Sequence, residues 1–133
     1  MAGRSRAGVF LIDAGRIALI ERWREGMHYF VAPGGGLGAG ETFEQAAVRE
    51  AREELGVEVE IVAPAFELEF GGRQVYFEVR LLSGSLRQKF FSEHKFRAGR
   101  YRPTWVPIAG IHELDVRPPE LIEWLGSLSD LSR

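Results

Sequence analysis

Short apolar runs dominate the first third of the chain. AGVFLID and RIALIERW are dense in Val, Ile, Leu and Phe and meet at Ala14-Gly15, which predicts two strands joined as a hairpin. A third run, MHYFVAP, stops at Pro33 and a cluster of glycines. From Thr42 to Leu55 the period changes. Phe43, Ala47, Val48, Ala51 and Leu55 recur mostly at three- and four-residue spacing, which predicts a helix with a narrow apolar stripe. Gly56 follows where a left-handed cap would end it. VEVEIVAPAFELEF then alternates with period two, a strand with one wet face interrupted at Pro64. GGRQVYFEVRLLSG follows, with Gly71-Gly72 suited to a tight hairpin turn. SLRQKFFSEHKFRAGRYRP is polar, basic and aperiodic, the longest candidate loop, and TWVPI is a short strand. AGIHEL suits a helical turn. RPPELIEWLGSL opens with proline and sets Leu121, Ile122, Leu125 and Leu128 on one helical face. Strands on both sides of a central helix, then a terminal helix, predict a mixed sheet with helices packed on it.

Composition narrows the function. The 133 residues match one domain, 1–133, with 45% hydrophobic and 27% charged residues, ordinary for a globular chain. A formal charge of −2 makes no electrostatic case for a nucleic-acid polymer or an anionic membrane as main partner. A small anionic ligand stays open, because a bound cation can supply positive charge. There is no cysteine, so disulfides, zinc–thiolate sites and thiol nucleophiles are out. With no secretory or membrane-spanning pattern, a cytoplasmic protein is expected.

The segment PGGGLGAGETFEQAAVREAREELGV carries the chemistry. Five glycines lie between Gly34 and Gly40, and Glu50, Glu53 and Glu54 crowd the helix that follows. Such acids also make an ordinary solvated face, with Arg49 and Arg52 as partial neutralisers. Two features favour a site. Clustered carboxylates suit a hard cation such as Mg²⁺. Glycines running into a helix N-terminus let backbone approach a phosphate closely. Carboxylates, cation and exposed backbone together suit hydrolysis of a phosphoanhydride by water attack on phosphorus.

The spacing of Gly35, Glu41, Arg49, Glu50, Glu53, Glu54, Gly56 and Val57 resembles the signature of the Nudix hydrolases, G-x5-E-x7-R-E-U-x-E-E-x-G-U. Ala51 departs from the bulky aliphatic U, which predicts looser local packing, and Gly38 stands where many members carry glutamate. YFVAPGGG and TWVPIAGIHEL…PPELIEWL resemble common flanks. The resemblance implies a Nudix-type α/β/α sandwich around a mixed sheet. It implies Mg²⁺, or Mn²⁺, bound by Glu50, Glu53, Glu54 and the Gly34 carbonyl. One of these carboxylates would be the general base, and members differ on which. Glu41 would lie beside the metal shell with Gly35 and Gly36 facing substrate, and Arg49 would orient a glutamate. Glu93 is placed to join the site from the loop, with His94 a weaker candidate base. Arg87, Lys89, Lys95, Arg97, Arg100 and Arg102 are candidate phosphate contacts. Trp23, Tyr29, Tyr76 and Trp105 are candidate stacking platforms, while Phe10, Phe30 and Leu55 belong to the core.

The implied substrate is a nucleoside diphosphate linked to another moiety, a nucleoside triphosphate or modified nucleotide first. A dinucleoside polyphosphate, towards which Tyr76 hints, or a nucleotide sugar is the alternative. Phe70-Gly71-Gly72-Arg73 lacks the proline associated with many ADP-ribose pyrophosphatases. A regulatory nucleotide-binding module without catalysis is a further alternative, against which all four box glutamates stand. Many relatives are homodimers; the sequence does not decide this.

Overall fold

A computed structural model describes residues 5–88, 91–93 and 99–128. Strands β1 (Arg6–Asp13) and β2 (Arg16–Arg24) form the expected hairpin. Ala14 and Gly15 turn it with φ of 53° and 73°, both positive as the favoured two-residue hairpin turn requires. The same turn recurs at Glu25-Gly26 (53° and 76°), which the sequence pattern did not flag, and leads into β3 (Met27–Val31).

β1 pairs with β2 only at Ile12–Ile17 and Asp13–Arg16. Beyond that point β4 (Gly34–Gly36) pairs antiparallel with β1, Gly35 opposite Ala7. Three of the five glycines that run into the helix are therefore a short strand. A β-carbon on Gly34 would meet the Ala7 carbonyl, so glycine is what allows this close approach.

β5 (Glu58–Glu69) runs through Pro64 without the expected interruption. It lies at the sheet edge, and register shifts between Ile61 and Ala63 and between Pro64 and Phe66 absorb the proline. β6 (Arg73–Ser83) pairs antiparallel with β5 and parallel with β1. The basic segment contains β7 (Phe91–Glu93), and β8 (Gly99–Pro107) starts five residues earlier than TWVPI, so Arg100 and Arg102 are strand residues. β9 (Val116–Arg117) pairs parallel with β3, giving the order β5-β6-β1-β2-β3-β9 with β8 beside β2.

Helix α1 (Phe43–Glu50) opens on a reciprocal cap: Gln45 N donates to Thr42 Oγ1 at 3.0 Å, and Thr42 N to Gln45 Oε1 at 2.9 Å. Thr42→Ala should cost about 1 kcal/mol in a denaturant melt. The helix continues as a π turn over Ala51–Leu55 and ends at Gly56, in the predicted left-handed conformation (φ 77°). Helix α2 (Glu120–Ser127) follows a short 3₁₀ turn, Ile111–Glu113.

The two helices cover opposite faces of the sheet. Ala46, Ala47, Ala51 and Leu55 pack with Val9, Leu11, Ala18, Ile20 and Phe77. Leu121 and Leu125 pack with Phe10, Ile17, Leu19 and Phe30. This is the expected α/β/α sandwich around a mixed sheet. Ala51 is fully buried despite its small size. No helix among the described residues is long and apolar enough to cross a membrane.

Candidate active site

Arg49 organises the acidic face of α1. Its Nε and Nη2 donate to the Glu41 carboxylate at 2.8 and 3.0 Å, and Nη1 donates to Glu50 at 2.8 Å and Glu53 at 3.0 Å. Nη2 also reaches the Gly36 carbonyl at 2.9 Å, tying the helix to β4. Glu41 additionally accepts from the Gly38 amide at 2.7 Å. The guanidinium and that amide hold the Glu41 carboxyl down at about 2, and the carboxylates raise Arg49 further above its ordinary value. One planar cation thus grips three carboxylates and a backbone oxygen.

Glu54 faces the other way. Its Oε1 accepts from the Gly34 amide at 2.6 Å. Burial pushes its carboxyl up to about 7; the Gly34 bond opposes this, the Glu50 charge adds to it, and Arg22 and Arg6 oppose it from farther off. Gly34 therefore contributes its amide, a part the sequence did not suggest. Gly35 lies against Glu50, and a β-carbon there would run into the Glu50 carboxylate. The glycine strand leaves room for the acid rather than simply being flexible.

Of the three helix acids, Glu50 lies against Gly35 and shares Arg49 Nη1 with Glu53, which is more than half exposed, and Glu54 reaches β4. Among the described residues no three acidic or imidazole side chains are gathered tightly enough to hold a metal ion. The donor set is nonetheless all carboxylate oxygen, as a hard divalent cation prefers. Glu54, destabilised as an anion by burial and by Glu50, is the kind of group a cation would relieve.

A cavity of about 590 Å³, within the usual range for small-molecule sites of roughly 300–1,000 Å³, includes Gly34 in its lining. Its wall includes Arg6, Gly34, Phe70, Gln74, Tyr76 and Arg117. Tyr76, expected near substrate, is a wall residue locked in place. It stacks on Phe10 at 5.2 Å, leans on Phe66 at 5.1 Å and donates its hydroxyl to Gln74 at 3.0 Å. The other candidate platforms are engaged elsewhere: Tyr29 under Arg117, Trp105 under Arg16, Trp23 between His28 and Arg100. Phe70, missed by the sequence reading, is the exposed aromatic at the cavity. The signal was present: Phe66, Leu68 and Phe70 alternate with Glu67 and Glu69 up to the glycine turn.

Glu93 ends β7, opposite Gly99 of β8, and its side chain lies outside the described residues, as do Lys89, His94, Lys95 and Arg97. Arg102 pairs with the buried Glu21 at 2.6 Å, and Arg87 donates to the Glu53 carbonyl at 2.9 Å, so both are held by protein partners.

Residues 3–125 match the family model described as NUDIX domain. No curated protein matches the chain. Among solved structures, a NUDIX hydrolase from Nitrosomonas europaea superposes with a TM-score of 0.71 at 19% identity, covering 93% of this chain and 86% of that one. The E. coli ORF135 protein gives 0.64 at 22%, covering 96% and 89%. A MutT NUDIX hydrolase from Burkholderia pseudomallei gives 0.65 at 22%, covering 92% and 96%. At these identities the structural likeness speaks for the fold.

Proposed function

Because the chain belongs to the NUDIX family of hydrolases acting on acid anhydrides, we propose that residues 1–133 form one such domain. Its reaction is Mg²⁺-dependent hydrolysis of a nucleoside triphosphate or modified nucleotide, with Mn²⁺ an alternative ion. One observation carries this reading. The cavity and the acidic cluster share Gly34, which lines the first and whose amide holds Glu54 of the second. A ligand with a ring in the cavity would thus present its phosphates to the glutamates. Arg6, on the cavity wall, would supply positive charge to a phosphate there.

Glu50, Glu53 and Glu54 would hold the ion, with the Gly34 carbonyl as a further candidate ligand. Family members work with divalent ions, and such an ion, when bound, neutralises phosphate charge and acidifies water. The chain's own part is orientation and proton handling. Arg49 fixes Glu41, Glu50 and Glu53 in place. Water oxygen bonds to phosphorus while the bridging P–O bond breaks. The departing phosphate keeps the bonding pair, and a site carboxylate, from α1 or Glu93, takes the proton. No nucleic-acid polymer or membrane is required, and a cytoplasmic setting suits the substrate.

The direct test is a panel of nucleoside triphosphates, oxidised nucleotides, ADP-ribose, nucleotide sugars and dinucleoside polyphosphates, with products resolved by mass after reaction in ¹⁸O-labelled water. No hydrolysis across the panel, with binding retained, would leave a non-catalytic nucleotide-binding module.

Proton linkage offers a second check. In the ion-free protein Glu54 keeps its proton below about 7, against an ordinary value of 4.5. A bound cation needs the ionised form. Mg²⁺ affinity, followed by calorimetry, should therefore rise about tenfold per pH unit up to roughly pH 7 and then level. The sign for stability is opposite. Ion-free protein should lose stability as pH rises from 4.5 through about 7, where Glu54 is forced to ionise, and added Mg²⁺ should restore it. An affinity flat from pH 5.5 to 8 would remove Glu54 from the ion site.

A further inference from the structure

Phe70 is 80% exposed, the most exposed large apolar side chain among the described residues. A single exposed aromatic is common and means little alone. Three further facts set this one apart. It lines the cavity that also reaches Gly34, whose amide holds Glu54. The hairpin that carries it is anchored just below the tip: Glu67 and Arg73 pair across β5 and β6 at 2.6 Å, and the Arg73 guanidinium lies 4.8 Å from the Phe43 ring of α1. The turn itself is Gly71-Gly72, closed by a bond from the Phe70 amide to the Gly72 carbonyl, and open space surrounds Gly71. An anchored base with a glycine tip holds the ring at the rim while leaving it room to re-aim.

We infer that Phe70 is a specificity-determining residue that stacks on the planar base of a nucleotide seated in the cavity. This rests on the nucleotide reading given above. An exposed phenyl ring at the rim of an apolar cavity gains from covering any flat, poorly hydrated face, and each nucleobase has one. The locked Tyr76 forms wall, while Phe70 supplies the adjustable contact. Discrimination would then favour ligands with an aromatic ring over the same phosphate chain on a bare sugar.

The test uses the full chain with ATP, CTP and GTP against ribose 5-triphosphate. Phe70→Ala should lower the ratio of kcat/KM for the best nucleoside triphosphate to that for ribose 5-triphosphate by about 5- to 100-fold. Phe70→Trp should restore it. An unchanged ratio in Phe70→Ala overturns the assignment. A readout independent of turnover accompanies it. The Phe70→Trp protein, titrated with AMP, CMP or GMP, should show an indole quench beyond that of the native protein, absent with ribose 5-phosphate. Quench without hydrolysis would sink the hydrolase reading and keep Phe70 as a base contact. Absence of the excess quench overturns the role of Phe70 whatever the turnover.

Discussion

A protein carrying Glu53→Gln and Glu54→Gln together is expected to lose about 10³-fold or more of its Mg²⁺-dependent turnover while remaining folded. The loss follows from removing two of three carboxylates that would hold an ion supplying several kcal/mol to the transition state. Stability should survive for reasons visible at each position. Glu53 is largely exposed and only one of several acceptors for Arg49. Glutamine at position 54 can still accept the Gly34 amide through its carbonyl oxygen, and it removes an anion that burial disfavours. The measurements are steady-state rates at saturating Mg²⁺ and a denaturant melt above pH 7. A double variant active within tenfold of the native protein would refute the assignment of these acids to the ion.

Arg49→Lys should be nearly as damaging despite keeping the charge. The guanidinium serves Glu41 twice, Glu50, Glu53 and the Gly36 carbonyl from one planar fork. An ammonium is a point charge that cannot span those directions. Loss of such an orienting residue commonly costs 10–100-fold, and that range is expected here for kcat/KM. A second observable follows the same clamp. Freed from its bidentate clamp, the Glu41 carboxyl should climb from about 2 towards the ordinary range, as followed by carboxyl-carbon NMR. Native-like titration of Glu41 in the lysine variant would mean that the clamp is not what holds it.

The legible parts of this chain are those written in local chemistry. Ala14-Gly15, Gly56 and the Thr42–Leu55 stripe each announce a turn, a cap or a helix through side-chain type and spacing, and the structure places all three there. What escaped depends on partners distant in sequence. Three successive glycines have little strand propensity, and only the edge of β1 makes them β4. Pro64 looks like a strand breaker until the edge position and bulges of β5 are known. Phe70 looks like an ordinary strand end until the cavity beneath it is seen. The candidate residues of the box were readable by spacing, yet their arrangement was not. Arg49 as a hub and Gly34 as an amide donor need β4 alongside the helix.

The π turn over Ala51–Leu55 has a consequence for how the helix can vary. An α-helix couples every position to one angular phase, so moving an acid also moves the residues that pack. A wider turn acts like one inserted residue and shifts the phase partway along. Ala46, Ala47 and Glu50 lie before the slip, and Ala51, Glu53, Glu54 and Leu55 lie within it, so each half carries both core residues and acids. The π turn thus lets Ala51 and Leu55 keep the buried face while Glu54 reaches the Gly34 amide. A single-residue deletion within Ala51–Glu53 would remove the slip and rotate the buried Leu55 together with Glu54, so it should cost stability as well as the contact with Gly34.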